Sequence, residues 1–364
     1  MMEPSPVPLS PTSATEAPPV IISTTTTTTT AGPESPAAVS TSAATSPIAA
    51  APATTAAPNV GTVPDMKRTI VVCGATGQQG TAVVDALLST GRYRVRAMTR
   101  DVSSVKARDM ATRGCELVAA DMADPKMLER AMDGAYGVFS VQTPFGGRHA
   151  QHEKETQYGK NVIDAAKAMN VRHLVYSSVA SADRAPRVAH FHSKALIEQH
   201  LTASGVPYTI LRPATFMENW LHGSGSIRHG KIMGMPSNET KNYYVAVSDI
   251  GVFAEMAFSY PEDNLGRTIE LAGDWVDGRD LCLIFNRISP QNSPFKYVPV
   301  SRMMLKMAAP DIANMAKWMD ETGFQHIDMD SLRRRHPGLR TVEMWAVEKG
   351  YGTRQLPRVS CDIA

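Results

Sequence analysis

The feature that most constrains the fold of this chain is a glycine-rich segment that directly follows an apolar run. Residues 68–73 read Arg-Thr-Ile-Val-Val-Cys, which predicts a buried strand, and residues 74–80 read Gly-Ala-Thr-Gly-Gln-Gln-Gly. A helical pattern follows from about residue 78 to residue 90. A strand, a tight glycine turn and a helix in this order are typical of a loop that binds the phosphates of a dinucleotide.

The three glycines suit that interpretation because each permits a different close approach. Gly74 allows the sharp turn, Gly77 lets the backbone approach a pyrophosphate, and Gly80 lets the helix pack closely on the strand. The free N–H groups and the positive end of the helix dipole then face the phosphates. An ordinary glycine-rich turn is the alternative, and the flanking strand and helix make it the weaker one.

Strand and helix patterns continue to alternate beyond this loop. Predicted strands cover residues 94–99, 116–120, 137–141, 172–177 and 207–212, and the clearest further helices cover 153–169 and 194–203. The strands are nearly continuous apolar runs, which is the pattern of a parallel sheet covered on both faces. We therefore predict an α/β fold, a doubly wound parallel sheet of the Rossmann type, with a smaller C-terminal lobe.

The regular alternation of strand and helix patterns ends after residue 212, where the C-terminal lobe is expected to begin. Short strands are predicted over 243–247 and 268–272, and helices over 248–259 and 303–321, with Ser248 as an N-cap. Met303, Met304 and Met307 belong to a chain with 20 methionines, and we expect them to fill the core. In doubly wound folds an added lobe commonly forms one wall of the ligand groove.

The composition divides the chain into a tail and a folded part. Residues 1–66 contain no Lys, Arg or aromatic residue, and Pro, Thr, Ala and Ser make up 47 of the 66 positions. Such a segment has too little bulky apolar surface to offset its chain entropy, so we predict disorder. The predicted organisation is a tail over 1–66, an NAD(P)-binding domain over 67–352 with its main Rossmann part over 67–213, and a C-terminal tail over 353–364.

Charge and cysteine content exclude several classes of protein. Residues 67–364 carry 37 basic and 31 acidic side chains, a net charge of +6 without the dense basic patch of a nucleic-acid binder. The four cysteines form no Cys-x-x-Cys pair, which indicates a reducing compartment and no metal site. We expect no membrane span and no signal peptide, and hence an intracellular protein, cytoplasmic by preference with the nucleus as the alternative.

The end of the second strand bears on the choice of nucleotide. An NAD site normally places an acidic side chain there to accept from the ribose 2′-OH, whereas here Arg100 comes first and Asp101 follows. A guanidinium suits a 2′-phosphate, so we favour NADP(H) over NAD(H). If the strand ended one residue later, Asp101 would occupy this position and would favour the ribose 2′-OH of NAD(H). Asp121, after the third strand, is placed to accept from the adenine amino group, and Asp124 is placed to cap the next helix.

Taken together, several segments make the chain resemble the NmrA-like family of atypical short-chain dehydrogenases and reductases. The spacing Gly-x-x-Gly-x-x-Gly is associated with that superfamily, and the likeness covers residues 68–350. The segments that carry it are Gly74-Ala-Thr-Gly-Gln-Gln-Gly80, Thr99-Arg100, His173-Leu-Val-Tyr-Ser-Ser178, Phe191-His-Ser-Lys194, Arg212-Pro-Ala-Thr-Phe-Met-Glu-Asn219, Val247-Ser-Asp-Ile-Gly251 and Glu270-Leu-Ala-Gly-Asp274.

The resemblance implies a set of contacts to the dinucleotide. These are Gly74, Ala75, Thr76, Gly77, Gln78, Gln79 and Gly80 in the loop, then Arg100, Ser104, Asp121, Met122, Gln142, Thr143 and Lys194, and finally Phe216, Met217, Glu218 and Asn219. Some members resemble redox sensors that bind dinucleotide and regulate a partner. Others resemble reductases of quinones or related carbonyl compounds.

The residues that would carry chemistry depart from the usual short-chain pattern. Reduction of a carbonyl commonly uses Tyr-x-x-x-Lys, in which the Lys lowers the Tyr pKa and one helical turn places both on one face. Here the pair is His190-x-x-x-Lys194, and Ser177 ends the strand where the family has a Ser. Three interpretations compete: Lys194 only holds cofactor ribose, Lys194 or His190 is the acid, or both are ordinary helix residues.

The missing Tyr leads us to favour a non-catalytic role at this stage. The leading hypothesis is an NADP(H)-binding redox sensor whose bound state alters the surface offered to a protein partner. The second is an NAD(P)H-dependent reductase of a small carbonyl or quinone, assisted by Lys194 and a groove serine. The third is a non-enzymatic scaffold, which would not need the intact glycine loop.

Overall fold

The computed structural model describes residues 67–144, 151–221, 227–228, 230–289 and 294–351. The predicted tails, 1–66 and 353–364, lie outside these residues. The strands are β1 (Arg68–Val72), β2 (Tyr93–Thr99), β3 (Glu116–Ala119), β4 (Gly137–Ser140), β5 (His173–Ser177), β6 (Tyr208–Pro213), β7 (Thr215–Phe216), β8 (Ile227–Arg228), β9 (Lys231–Gly234), β10 (Asn242–Val245), β11 (Arg267–Leu271), β12 (Asp274–Val276) and β13 (Lys296–Pro299). The α-helices are α1 (Gln78–Thr90), α2 (Val105–Thr112), α3 (Pro125–Met132), α4 (His152–Ala168), α5 (Ala189–Ser204), α6 (Val247–Ser259), α7 (Pro261–Asn264), α8 (Gly278–Ile288), α9 (Arg302–Ala308), α10 (Pro310–Glu321), α11 (Met329–Arg335) and α12 (Val342–Glu348).

Seven strands form one parallel sheet in the order β11-β6-β5-β4-β1-β2-β3. Every neighbouring pair in it is parallel. The strand order reverses between β1 and β4, which is where a doubly wound sheet opens a crevice for a ligand. The predicted Rossmann-type α/β fold is therefore confirmed.

Helices cover both faces of this sheet. Along β1, Ile70 and Val72 belong to the core shared with α1 and α6, whereas Val71 and Cys73 belong to the core shared with α3, α4 and α5. All four side chains are fully buried. Because successive strand residues point to opposite faces, a run of apolar residues is what a sheet with two covered faces requires.

Two glycines fix the turn between β1 and α1. Gly74 has φ +63°, a left-handed conformation that glycine adopts without strain. A Cβ atom at Gly80 would lie 2.1 Å from the carbonyl oxygen of Gly74 and 2.8 Å from the Cα of Ala75. The first turn of α1 therefore packs directly on the backbone of the loop.

The rest of the chain builds a smaller lobe from two three-stranded sheets, ordered β12-β10-β7 and β13-β9-β8. Strand β11 is an exception, because it returns to the main sheet and pairs with β6 from Arg267 to Leu271. The lobe has its own core, in which Trp345 of α12 is fully buried beside Trp220. This core is separate from the two cores that flank the main sheet.

Helix α6 begins one residue earlier than its sequence pattern predicts. Ala246 is the N-cap, so the prediction of Ser248 as N-cap is wrong. The buried carboxylate of Glu218 accepts a hydrogen bond from the Val247 N–H at 3.0 Å, which satisfies one of the first N–H groups of the helix. A distant side chain thus replaces the local cap.

The segment predicted as one helix over 303–321 is two helices. Ala309 has φ −151° and ψ 75°, and Pro310 starts α10. The break is expected from Pro310, since a proline excludes the helical conformation at the preceding residue.

The methionines of α9 are not core residues, which corrects the sequence-based expectation. Met303, Met304 and Met307 are 76%, 69% and 83% exposed, and Leu305 is the buried side chain of this short helix. Of the seven residues of α9, only Leu305 is buried, so the face of the helix that carries these three methionines lies at the surface.

Candidate functional site

A cavity of about 1240 Å³ opens at the carboxyl ends of the main-sheet strands. Fifteen of the sequence-predicted site residues line it: Gly74, Thr76, Gly77, Gln78, Gln79, Gly80, Arg100, Asp121, Met122, Gln142, Thr143, His190, Lys194, Phe216 and Asn219. They come from the ends of several strands and from two helices, and the parallel sheet brings these ends to one edge. A cavity in this position is the usual ligand site of such folds.

The glycine loop presents the start of α1 to the cavity. Gly77 is the N-cap of α1, and no side chain caps the helix. The Gly77 N–H donates to the Gly74 carbonyl at 2.9 Å, which closes the turn. An uncapped 13-residue helix beginning in a cavity offers N–H groups and a positive dipole end to an anion.

Arg100 and Asp101, the two candidates for reading the ribose, are in different situations. The Asp101 carboxylate accepts from the Ser103 N–H at 2.8 Å and from the Ser103 hydroxyl at 2.5 Å, and these hydrogen bonds lower its pKa. Arg100 makes no hydrogen bond or ion pair with any of the residues that the structure describes. The guanidinium is thus the group that remains to meet a ligand.

Lys194 is held by two partners on neighbouring elements. Its ammonium lies 2.9 Å from Glu155 Oε1 of α4 and 3.1 Å from the backbone oxygen of Gln142. The Glu155 side chain is fully buried, and its second oxygen accepts from the Ser193 hydroxyl. This network fixes the direction of the lysine within the cavity.

His190 lies one helical turn before Lys194 and is paired with an acidic residue from a remote part of the chain. Its Nδ1 is 2.5 Å from Asp311 Oδ2 at the start of α10. Burial raises the pKa of Asp311, but the hydrogen bonds from His190 and from the Ala189 N–H outweigh it, so the pKa lies below its ordinary value. Asp311 is therefore an anion beside the imidazole.

Two buried polar atoms around the cavity have no hydrogen-bond partner among the described residues. They are Gln142 Oε1 and Ser178 Oγ, in side chains that both line the cavity. Gln142 is oriented by its own amide, which donates to Ser140 Oγ at 3.0 Å. An unsatisfied buried polar atom is costly, so each of these two atoms retains an unused capacity for a hydrogen bond.

The side of the cavity away from the glycine loop is apolar. It is lined by Phe191, Trp220, Met233, Ile312, Met315, Met319 and Phe324, together with the ring of Tyr244. Phe191 packs edge-on against Trp318, at 5.4 Å between ring centroids, and so ties α5 to α10. The cavity therefore combines a polar half suited to a dinucleotide with an apolar half suited to a second, flat ligand.

Five of the predicted site residues do not line the cavity. Ala75 is fully buried beneath the loop. The Ser104 hydroxyl accepts from the Ala107 N–H and is the N-cap of α2. Ser177 is buried as well, and its hydroxyl donates to Gln79 Oε1 at 2.6 Å. Ser177 thus orients a lining residue instead of facing the ligand.

The other two belong to the segment after β7. Met217 is fully buried in the core of the smaller lobe. Glu218 accepts from the Val247 N–H and, at 3.0 Å, from the indole N–H of Trp345. Both side chains are used by the fold, which explains why only Phe216 and Asn219 of the predicted segment reach the cavity.

Sequence reasoning missed Glu155 and Asp311. The pattern in α4 contained a signal for the first, because Glu155 shares the buried helix face with Gly159 and Val162. For Asp311 the sequence offered only a position next to Pro310, with nothing to connect it to a histidine 121 residues away. Asp124, in contrast, caps α3 as predicted.

The sheet order and the glycine loop define a Rossmann-type NAD(P)-binding fold. The family model described as the NmrA-like family matches residues 66–346, so this chain belongs to the NmrA-like family. The resemblance found in its sequence motifs is thereby confirmed.

Two curated relatives that are similar in sequence are named as oxidoreductases. The chain is 32% identical over 175 residues to the NmrA-like family domain-containing oxidoreductase ptmS of Penicillium ochrochloron, which covers 45% of this chain and 52% of ptmS. It is 31% identical over 209 residues to quinone oxidoreductase 2 of Escherichia coli, which covers 56% of this chain and 68% of that protein. The chain thus matches about half the length of ptmS.

Solved structures share the fold. NADPH-dependent quinone oxidoreductase QOR2 of Escherichia coli, complexed with NADPH, gives a TM-score of 0.65 at 25% identity, over 77% of this chain and 99% of that one. NmrA, a negative transcriptional regulator, in complex with NADP, gives 0.64 at 18% identity, over 79% and 98%. NmrA is also solved with NAD. At 18% identity, the match to NmrA shows that the two chains share a fold and nothing more.

Within the described part of the chain, none of the helices has the length and apolar character needed to cross a bilayer. In the same residues, His, Cys, Asp and Glu side chains do not come together in groups of three that could hold a metal ion.

Proposed function

We propose that this protein is an NADP(H)-dependent reductase of a flat, apolar carbonyl or quinone compound. The observation that carries the proposal is His190, an imidazole paired with an acidic side chain, in a cavity that is polar on one side and apolar on the other. A hydride acceptor of this kind needs a proton donor beside its oxygen, and a positioned histidine supplies one. The sequence showed His190 in place of the usual Tyr, and its acidic partner Asp311 is the feature that now favours His190 as the proton donor.

The polar half of the cavity fits NADP(H). The uncapped start of α1 suits the pyrophosphate, and the unsatisfied atoms of Gln142 and Ser178 suit hydroxyl or amide groups. Arg100 suits the 2′-phosphate, since the Asp101 carboxylate is already bound to Ser103. When bound, NADPH supplies the hydride.

The chain's own residues then have separate tasks. Lys194, held by Glu155 and the Gln142 backbone, holds the ribose of the cofactor. His190 holds the proton that the substrate oxygen receives. The wall that contains Phe191 and Met315 excludes water and packs against the flat face of the substrate.

The names of the relatives support this class of substrate. Quinone oxidoreductase 2 is similar in sequence, and its structure with NADPH has a closely similar fold. A quinone is a flat ring, and its reduction to the hydroquinone takes up one hydride and one proton, so it needs an apolar slot and one proton donor. The apolar half of the cavity and His190 offer both features.

The test follows NADPH oxidation at 340 nm with a panel of quinones and aromatic aldehydes, in the wild type, His190→Gln and His200→Gln. His200 is the matched control, because it lies on α5 and pairs with Asp164 at 2.7 Å but does not line the cavity. We expect His190→Gln to lower kcat by about 100-fold or more and His200→Gln to keep it, with NADPH affinity unchanged in both. Equal activity of all three proteins would contradict the proposal.

A redox-sensing regulator is the second candidate, and the state of Lys194 favours it. The ammonium already has an acidic partner and a carbonyl partner, which suits a residue that only binds. Titration of NADPH and NADP⁺ separates the two functions. Tight binding that discriminates between the two forms, with no turnover of any acceptor, would support the sensor, and no binding at all would leave the scaffold.

A further inference from the structure

Asp311 binds the first turn of α5 as well as the ring of His190. Its Oδ1 accepts from the Ala189 N–H at 2.6 Å, and its Oδ2 accepts from the His190 N–H at 3.2 Å and contacts His190 Nδ1 at 2.5 Å. The first N–H groups of a helix have no partner within the helix, so a carboxylate placed there is held firmly. The backbone of α5 therefore fixes the position of the group that touches the imidazole.

This geometry differs from the surface pair on the same helix. His200 contacts Asp164, whose side chain is 61% exposed, whereas the side chain of Asp311 is 14% exposed. An exposed pair of this kind is screened by water and contributes little. The buried pair has a fixed direction, because backbone N–H groups occupy the remaining lone pairs of Asp311.

We propose that Asp311 is a positioning residue, whose carboxylate accepts a hydrogen bond from the Nδ1–H of His190 so that Nε2 exchanges the proton with the substrate. The catalytic part of this inference rests on the proposed reductase function. The charged imidazole carries protons on both nitrogens. The Nε2–H bond breaks, an O–H bond forms on the reduced carbonyl, and the Nδ1 proton stays on the ring, hydrogen-bonded to the Asp311 carboxylate. Water returns a proton to Nε2.

The surroundings of the pair support a single donor direction. Among the residues that the structure describes, the charged or titratable groups near His190 are Asp311 from α10, His152 from α4 at 3.5 Å from Asp311 Oδ2, and Lys194 one turn further along α5. Lys194 pairs with Glu155 of α4, whereas Asp311 contacts the imidazole itself at Nδ1. Its helix, α10, also carries Ile312 and Met315 of the apolar wall, so the proton donor and the substrate wall share one element.

The first test measures the tautomer of His190 and needs neither cofactor nor substrate. Ring ¹⁵N shifts are recorded by NMR in the full-length protein at a pH where the imidazole is neutral, for the wild type, Asp311→Asn and Asp320→Asn. We expect the Nδ1–H tautomer in the wild type. In Asp311→Asn the amide oxygen keeps the Ala189 N–H and the amide N–H donates to Nδ1, so the ring changes to the Nε2–H tautomer.

Asp320→Asn is the matched control. Asp320 lies on the same helix, its side chain is 11% exposed, and it accepts hydrogen bonds from Ser237 and Thr240, but it does not line the cavity. The His190 tautomer should not change in this variant. An Nε2–H tautomer in the wild type, or the same tautomer in the wild type and Asp311→Asn, overturns the inference.

The second test measures turnover in the same three proteins. An amide in place of an orienting carboxylate lowers kcat by about 10⁴-fold in serine proteases, where it also imposes the wrong tautomer. We expect Asp311→Asn to lower kcat by at least about 100-fold, with KM and NADPH affinity within about twofold. Unchanged kcat in Asp311→Asn overturns the inference and leaves the reductase proposal standing. A wild type that reduces no acceptor ends the reductase proposal and the catalytic role of Asp311 with it.

Discussion

At the scale of single residues, the site depends on which polar groups are already occupied. Asp101 and Arg100 are neighbours in the sequence, and the pattern favours Arg100 only because it comes one position earlier. The structure separates them, because the Asp101 carboxylate binds Ser103 while Arg100 has no partner among the residues described. A side chain with a satisfied hydrogen-bond requirement gains little from a ligand, whereas an unpaired guanidinium gains a strong contact.

Arg100 should therefore set the preference for NADPH. Charge-assisted hydrogen bonds contribute about 1.5–3 kcal/mol, so Arg100→Ala should weaken NADPH binding about 10- to 100-fold and leave NADH binding within about twofold. Titration of both nucleotides by cofactor fluorescence measures this. Arg130→Ala, an exposed arginine outside the cavity, is the control. An equal loss of NADPH and NADH affinity in Arg100→Ala would show that Arg100 does not read the 2′-phosphate.

At the scale of elements, the loop and the strands show what could be predicted from sequence. The strand–helix alternation located the main-sheet strands to within one or two residues, because each is a short apolar run bounded by turns. Helix α5 starts five residues before the predicted residue 194, since Val188 and the first turn carry no local start signal. Contacts across the fold, such as Glu218 beneath α6 and Asp311 beside α5, depend on distant residues and leave no local pattern.

Within the glycine loop, alanine at Gly80 should reduce stability, whereas alanine at Gly77 should reduce NADPH affinity. A Cβ at Gly80 would lie 2.1 Å from the Gly74 oxygen, so Gly80→Ala should lower the free energy of unfolding by about 3 kcal/mol. At Gly77 the nearest atom would be 3.3 Å away and the backbone is extended, so Gly77→Ala should fold normally. It should bind NADPH at least about tenfold more weakly, because the methyl group stands where the pyrophosphate approaches.

Urea denaturation and NADPH titration of both variants check this contrast. A stable Gly80→Ala protein, or a Gly77→Ala protein with full affinity, would each refute the role given to that glycine.

The buried His173 of β5, which contacts Thr209 of β6, should make the free energy of unfolding depend on pH. Thr209 donates its hydroxyl proton to the Asn264 oxygen, so it accepts from His173 Nε2–H at 2.8 Å, and His173 Nδ1 is left without a partner among the described residues. Burial lowers the pKa of His173 to about 4, from an ordinary value of 6.5. Because the unfolded chain takes up the proton first, the stabilisation is complete above pH 6.5 and is lost as the pH falls towards 4.

Between pH 7 and pH 5 this residue should account for a loss of about 2 kcal/mol in the free energy of unfolding. His173→Gln keeps a donor for Thr209 and cannot be protonated, so its stability should fall by about that much less over the same interval. Urea denaturation of both proteins at the two pH values measures the difference. Parallel pH profiles would contradict the assignment.

At the scale of the whole molecule, the C-terminal segment is secured to the main sheet by a buried carboxylate. Asp249 in α6 is fully buried and accepts from Arg340 through both the guanidinium, at 2.5 Å, and the backbone N–H, at 2.9 Å. Asp249 therefore joins α6 to the segment that leads into α12. Trp345 then extends this connection to Glu218 and the edge of the cavity. In the described part of the chain, α12 is therefore linked through Glu218 to the segment that carries Phe216 and Asn219 of the cavity.

The N-terminal tail, in contrast, should be dispensable for this unit. The family model begins at residue 66, and the 66 residues before the first strand offer almost no bulky apolar side chains. We expect a protein that begins at residue 65 to keep its Tm within about 2 °C and its NADPH affinity within about twofold. Thermal unfolding and nucleotide titration, side by side with the full chain, test this. A markedly lower Tm would assign the tail a structural role.

The segment 216–219 suggests how the specificity of such a site can change over evolutionary time. Phe216 and Asn219 reach the cavity, whereas Met217 and Glu218, between them, are committed to the core and to the start of α6. Within these four residues, two positions that serve the fold thus lie between two positions that face the cavity. Substitutions at 216 and 219 can change which ligands the cavity accepts, while unchanged residues at 217 and 218 keep the core and the start of α6 intact. A saturation library at these four positions should show tolerance in the outer pair and purifying selection in the inner pair.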